Sequence, residues 1–244
     1  MTTTPGSNPP DGAAASSGSP AHHELPIPTV TRLPRTHRWG SWLAALLFAV
    51  VVTVYLSLTP AGLLTKADMV GYAVCHRIAS HSFFFAGRQL PLCARCTGTF
   101  LGALTGLLGQ ALLLRRRREA EFPPLAILAV LIGFILLMGG DGLNSYLGMI
   151  PGAPQLYQPR QWLRLTTGAL NGLALSAVLL PLIHSTLWRD ATAQRAIRRW
   201  RDLAALLALE GGMVALVLTG WSPLLVPLVL ASAAGVLLML TLVN

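Results

Sequence analysis

The feature that most constrains this chain is a series of long apolar runs built from Leu, Ala, Val and Gly. They are 17 to 23 residues long, close to the roughly 20 a helix needs to cross about 30 Å of hydrocarbon. Six such runs can be marked out, at residues 41–58, 97–114, 124–140, 165–187, 203–219 and 223–243. Only 11% of the 244 residues are charged and 53% are hydrophobic, against roughly a quarter charged in an ordinary soluble domain. Too few charges remain to coat a globule, so lipid is the expected solvent. The fold class that follows is all-α, a polytopic transmembrane bundle over 39–244 of about six spans. The third and fifth runs are short, and the last two form a tight hairpin around Gly220.

Residues 1–38 are rich in Thr, Ser, Pro, Gly and Ala and have no apolar periodicity, so they read as a disordered cytoplasmic tail. The first apolar run follows Arg32, Arg35 and Arg38 with no small-residue cleavage site after it, which fits a retained signal anchor. The net charge of +9 would suggest nucleic acid in a soluble chain, but no basic face with interleaved aromatics exists, and nucleic acid is not an expected partner. The basic residues instead cluster between the apolar runs, as in Arg115 to Arg118 and in Arg195, Arg198, Arg199 and Arg201. Twelve Lys and Arg fall on one side of the six runs and six on the other. The positive-inside bias then puts both termini in the cytoplasm of a prokaryotic cell and the loops 60–97 and 141–164 on the outer face of its inner membrane.

Gly98, Gly102 and Gly106 recur every fourth residue in the second run, and Gly168 and Gly172 repeat the pattern in the fourth. Small residues at that spacing let helix backbones approach closely in lipid. Packing within the chain is the first reading, and a homo-oligomer through the same glycine faces is the other.

All three cysteines lie within one stretch, Cys75 to Cys96. Thiolate and imidazole are the ligands zinc and other borderline metals prefer, and a structural site takes four in a tetrahedron. Cys75, His76, Cys93 and Cys96 are the expected metal ligands, with zinc the expected ion. His81, beside Phe83, Phe84 and Phe85, reads as an interfacial residue before it reads as a ligand. The gap in Cys93-Ala94-Arg95-Cys96 also suits thiol redox chemistry or a plain disulfide. The start of a helix and Arg95 should lower the thiol pKa of that pair. A membrane thiol oxidoreductase is therefore the second reading of function, and a transporter or structural membrane protein is the third.

Three charged residues outside this stretch are candidates for a catalytic role. Asp141 and Arg164 fall at the end of the third run and the start of the fourth, on the same side as the cysteines, and should form an ion pair there. In a functional role Asp141 would orient His76 or bind a cation, and Arg164 would hold an anionic substrate. Glu210 falls near the middle of the fifth run, where an ionised side chain is costly unless paired, for instance with His184. No phosphate-binding loop, zinc-protease helix or serine-hydrolase elbow is present. No organic cofactor is expected, and no activity is assigned.

The strings Cys75-His76-Arg77, Ser82-Phe83-Phe84, Gly87-Arg88-Gln89 and Leu92-Cys93-Ala94-Arg95-Cys96-Thr97-Gly98 resemble the prokaryotic membrane-protein family catalogued as domain of unknown function 2085. The resemblance extends to Asp141-Gly142 and to Leu163-Arg164 with Thr167-Gly168. It implies a multi-pass membrane protein with Cys75, His76, Cys93, Cys96, Asp141 and Arg164 at matching positions, and no particular activity. Where this chain has His81 the family more often carries Arg, which favours His76 as the nitrogen donor.

Overall fold

The computed structural model describes residues 37–58, 62–115, 118–152, 154–187 and 192–243. All but the last two residues of the expected tail lie outside this set. Every one of the six expected spans is a helix. The first is α1 (His37–Leu58), whose apolar side chains Trp42, Leu46 and Val51 are exposed. The others are α3 (Ala94–Leu108, continued by a π-helical turn at Gly109–Leu113), α4 (Leu125–Leu147), α5 (Gln161–Leu187), α6 (Trp200–Leu218) and α7 (Leu225–Val243). A shorter helix that the apolar pattern did not suggest, α2 (Leu63–Val74), precedes them in the chain between α1 and α3. The bundle is polytopic and helical, as expected.

Among the described residues four helical segments are long and apolar enough to cross a membrane, those of α3, α4, α5 and α7. α6 has the length but carries Arg201, Asp202 and Glu210. The third span is not short. α4 runs 23 residues to Leu147, because Asp141, Asn144 and Ser145 continue one helical face instead of ending the helix. Ile132, Leu136 and Leu137 of α4 are exposed, an arrangement that water would penalise and lipid would not.

α5 is the most enclosed of these helices and α3 the next. Their contact explains the glycine stripes. A Cβ added at Gly98 would collide with the carbonyl oxygen of Leu165, one at Gly102 with the backbone of Ala169, and one at Gly168 with the carbonyl oxygen of Arg95. Both glycine faces thus pack within one chain. The turn between α6 and α7 is as tight as expected, with Gly220 at φ 65°.

Two small sheets flank the helices. The hairpin of β1 (Ser82–Phe85) and β2 (Arg88–Cys93) turns on Ala86 and Gly87, both at positive φ, the backbone a two-residue hairpin turn requires. In the loops leading away from the far ends of α3 and α5, β3 (Glu119–Glu121) pairs in parallel with β4 (Thr192–Arg195).

A three-cysteine site at one end of the bundle

The three cysteines come from three different elements. Cys75 ends α2, Cys93 ends β2, and Cys96 lies in the first turn of α3. The hairpin brings them together. Its register sets Cys93 opposite Ser82, and β2 packs on α2 where Gly71 leaves no room for a side chain against the Pro91 carbonyl. Asp68 of α2 then receives Arg77 at 3.2 Å and Arg88 at 2.5 Å, fastening the segment after Cys75 and the hairpin to the same helix. Gln89 donates to the Arg77 carbonyl at 2.8 Å and to the Ser82 hydroxyl at 2.9 Å. A loop that the apolar pattern left blank is therefore a folded platform.

The three sulfurs lie within 4.8 Å of one another, and this set could hold a metal ion. Cys75 and Cys93 are buried and Cys96 is half-buried, and none of the three is in a disulfide. The thiols of Cys93 and Cys96 hydrogen-bond to the Cys75 sulfur, and the Cys93 backbone N–H donates to it at 3.3 Å. These donors push the Cys75 thiol well below the usual thiol range, against the opposing effect of burial. Cys93, whose S–H is committed first to Cys75, is pushed up. The expectation of a lowered pKa on the Cys93/Cys96 pair is thus corrected at Cys93, and the lowering falls on Cys75 instead. Arg95 does not serve the sulfurs, because its side chain turns to Asp141.

His76 is exposed and its ring nitrogens are not part of the sulfur group. The reason is local. Cys75 has extended backbone angles, φ −142° and ψ 136°, and successive side chains on an extended chain point to opposite sides. His81 is half-buried, and its pKa is lowered, by burial first and then by the charges of Arg164, His76 and Arg95.

Beside the sulfurs lies a polar network that sequence reasoning missed. Asp141 is 3% exposed. Its Oδ2 accepts from Arg95 Nε at 3.1 Å and from the Arg95 terminal nitrogen as an ion pair. Its Oδ1 accepts the Tyr157 hydroxyl at 2.7 Å. Arg95 also donates to the Asp141 carbonyl at 3.2 Å and to the Ser145 hydroxyl at 3.0 Å. Asn144 clamps the following loop, donating to the Tyr157 carbonyl at 2.9 Å and accepting from the Leu156 N–H at 2.8 Å, which sets the phenol over Asp141. Burial and this hydrogen bond push the Tyr157 phenol up to about 12.

The expected Asp141–Arg164 ion pair is therefore replaced by Asp141–Arg95. Arg164 is 6% exposed, its Nε has no acceptor, and no carboxylate pairs with it among the described residues. Glu210 is 2% exposed and neither carboxylate oxygen has a hydrogen-bond partner. His184 does not reach it, since its Nδ1 lies 3.0 Å from the Glu119 carbonyl. The polar spacing of Asp141, Asn144 and Ser145 along one helix face was the signal that could have exposed the network.

The fold and the site together define a polytopic helical membrane protein with a thiol cluster at the end of the bundle where α3 and α5 begin. The profile of a family described as predicted membrane protein, DUF2085, matches residues 75–178. An uncharacterized protein of Methanothermobacter thermautotrophicus is 33% identical over 111 residues, covering 46% of this chain and 88% of the relative. An uncharacterized protein of Methanocaldococcus jannaschii is 24% identical over 116 residues, covering 48% of this chain and 67% of the relative. No solved structure is significantly similar. The chain belongs to the DUF2085 family of predicted membrane proteins. The three cysteines, Arg95, Asp141, Tyr157 and Arg164 all fall inside the matched stretch, and Glu210 falls outside it.

Proposed function

We propose that this protein binds a transition-metal ion, zinc by ligand preference, through Cys75, Cys93 and Cys96. The site would face the outside of a prokaryotic inner membrane, and all six long helices would span that membrane with both termini in the cytoplasm. The observation that carries the reading is the convergence of three sulfurs within 4.8 Å. Around one zinc ion, with Zn–S bonds of about 2.3 Å, sulfurs stand roughly 3.8 Å apart, so adjustments of less than an ångström close the site. The Cys93 N–H on the Cys75 sulfur is the kind of outer hydrogen bond that orients a ligand and tunes its basicity.

Three thiolates fill three of four tetrahedral positions. His76, next in the chain to Cys75, closes the fourth if its exposed side chain turns inward, and the site is then structural. Left open, that position supplies a Lewis acid or a metal-bound water. Metal binding displaces the thiol protons, so affinity falls steeply with acidification.

Metal content of the detergent-purified chain, measured by inorganic mass spectrometry, tests the reading. One ion per chain is expected, lost in Cys93→Ser and in Cys96→Ser. Retention in His76→Ala assigns the three-thiolate form, and loss assigns the four-ligand form. A wild-type protein without stoichiometric metal overturns the proposal.

The lowered pKa of Cys75 favours a second reading, a thiol–disulfide oxidoreductase, because a thiolate is the nucleophile such exchange requires. Alkylation of metal-free protein distinguishes the two. A thiol that reacts well below pH 8 supports exchange chemistry, and one that stays unmodified there removes it.

A further inference from the structure

We infer that Arg164 and Arg95, in the first turns of α5 and α3, form a binding site for a phosphate group beside the three sulfurs. The inference does not depend on a metal being bound.

The charges at this end of the bundle are out of balance. A buried guanidinium is normally forked to a carboxylate or to carbonyls, because desolvating it without partners costs several kcal/mol. Arg164 is 6% exposed, yet its Nε lacks an acceptor and no carboxylate answers it among the described residues. The carboxylate within its electrostatic range is Asp141, with the Cys93 sulfur and the Tyr157 phenol also in range. Both oxygens of Asp141 are already engaged, one by Arg95 and the other by the Tyr157 hydroxyl.

The placement compounds the imbalance. The N-terminal turn of a helix carries a partial positive charge and unpaired N–H groups, which favour an acidic residue. Neither α3 nor α5 has an acidic residue in its first turn, and each has an arginine there. The two turns are adjacent, since Gly98 packs on Leu165 and Gly168 on Arg95. Two helix ends and two guanidinium groups therefore converge on one place with a single carboxylate between them. Half-buried His81, in electrostatic range of both arginines, adds an imidazole.

Such a place is completed by an anion. A carboxylate has two oxygens, and those of Asp141 are taken by Arg95 and Tyr157. A phosphate offers enough oxygens for two arginines from different helices and for helix N–H groups as well. The phosphate can belong to a lipid headgroup at the membrane boundary or to a free phosphate, and the chemistry of recognition is the same.

The test uses full-length protein in neutral detergent with inorganic phosphate as the probe, chloride holding the ionic strength constant. Thermal unfolding of the wild type should shift upward saturably with phosphate, and Arg164→Gln should weaken that response roughly tenfold or more. In phosphate-free buffer Arg164→Gln should melt no lower than wild type, a result that a merely structural arginine would not give. If that variant fails to fold, Arg164→Lys keeps the charge without the fork and should retain only part of the response. A second arm offers phosphatidylglycerol to delipidated protein and reads retention by native mass spectrometry. An Arg164-dependent response to phosphate assigns the free ion. Silence there with Arg164-dependent retention of one lipid assigns the headgroup. No response in either arm, or responses unchanged in Arg164→Gln, overturns the inference.

Discussion

Asp141 and Glu210 are both acids on long apolar helices, and both are almost fully buried, at 3% and 2% exposure. Their surroundings are opposite. Asp141 sits in the last two turns of α4, where an arginine, a tyrosine and a clamped loop converge on it. Glu210 sits mid-way along α6 beside a cavity of about 190 Å³ between α5 and α6, lined by Thr166, Ala169, Leu170, Leu207, Gly211 and Val214. It receives nothing from them. The difference separates two uses of a buried acid. One organises its end of the bundle, whereas the other contributes no bond to the fold.

The largest effect expected from this comparison is at Asp141. Asp141→Asn leaves the Arg95 guanidinium beside a neutral amide. Breaking one side of a buried pair costs about 3 to 5 kcal/mol. Chemical or thermal unfolding in detergent should register a loss of that order. Because Arg95 lies between Cys93 and Cys96 in the chain, metal content should fall with it. A variant as stable as wild type would mean that the network is decoration and that α4 is held by lipid-facing packing alone.

A smaller effect belongs to Tyr157. Tyr157→Phe removes one hydrogen bond to a carboxylate, worth about 1 to 2 kcal/mol. The pH dependence has a definite sign. The folded-state pKa is raised to about 12 from an ordinary 10, so the native state holds the phenolic proton more tightly than the unfolded chain. The stabilisation is complete below pH 10 and is lost as the pH rises toward 12. Wild-type stability should fall across that alkaline window more steeply than that of Tyr157→Phe. Parallel curves would show that the phenol does not titrate against Asp141.

The same comparison explains what could be read in advance. The six helices were legible because lipid demands long apolar segments that satisfy their own backbones, and that demand is written continuously in the composition. The glycine stripes were legible for the same reason, since close approach needs small residues at fixed spacing. The cysteines stood out by clustering. What stayed hidden depended on which way single side chains turn. Arg95 lies within the Cys93 to Cys96 motif and read as part of its electrostatics, yet it points to α4. His76 follows Cys75, yet extended backbone at Cys75 turns it out. Tyr157 gave no signal, because its role comes from a loop clamped by Asn144. The β1–β2 hairpin was obscured by Phe83, Phe84 and Phe85, which read as an interfacial belt, although Ala86-Gly87 carried a turn signal.

The smallest effect is expected at Glu210, and it bears most directly on the contrast. Glu210→Met replaces a carboxyl that has no hydrogen-bond partner with an apolar side chain of similar length. Substituting an unsatisfied buried polar group in this way is usually neutral or stabilising. Unfolding should therefore shift by less than about 1 kcal/mol, and upward if at all. Asp141→Met, by the same logic, should behave like Asp141→Asn, so the two methionine variants should diverge by several kcal/mol. A fall at Glu210 comparable to the one at Asp141 would show that a lipid or a second chain supplies the missing partner, and the two acids would then be alike. With no such fall, folding does not require the carboxyl of Glu210.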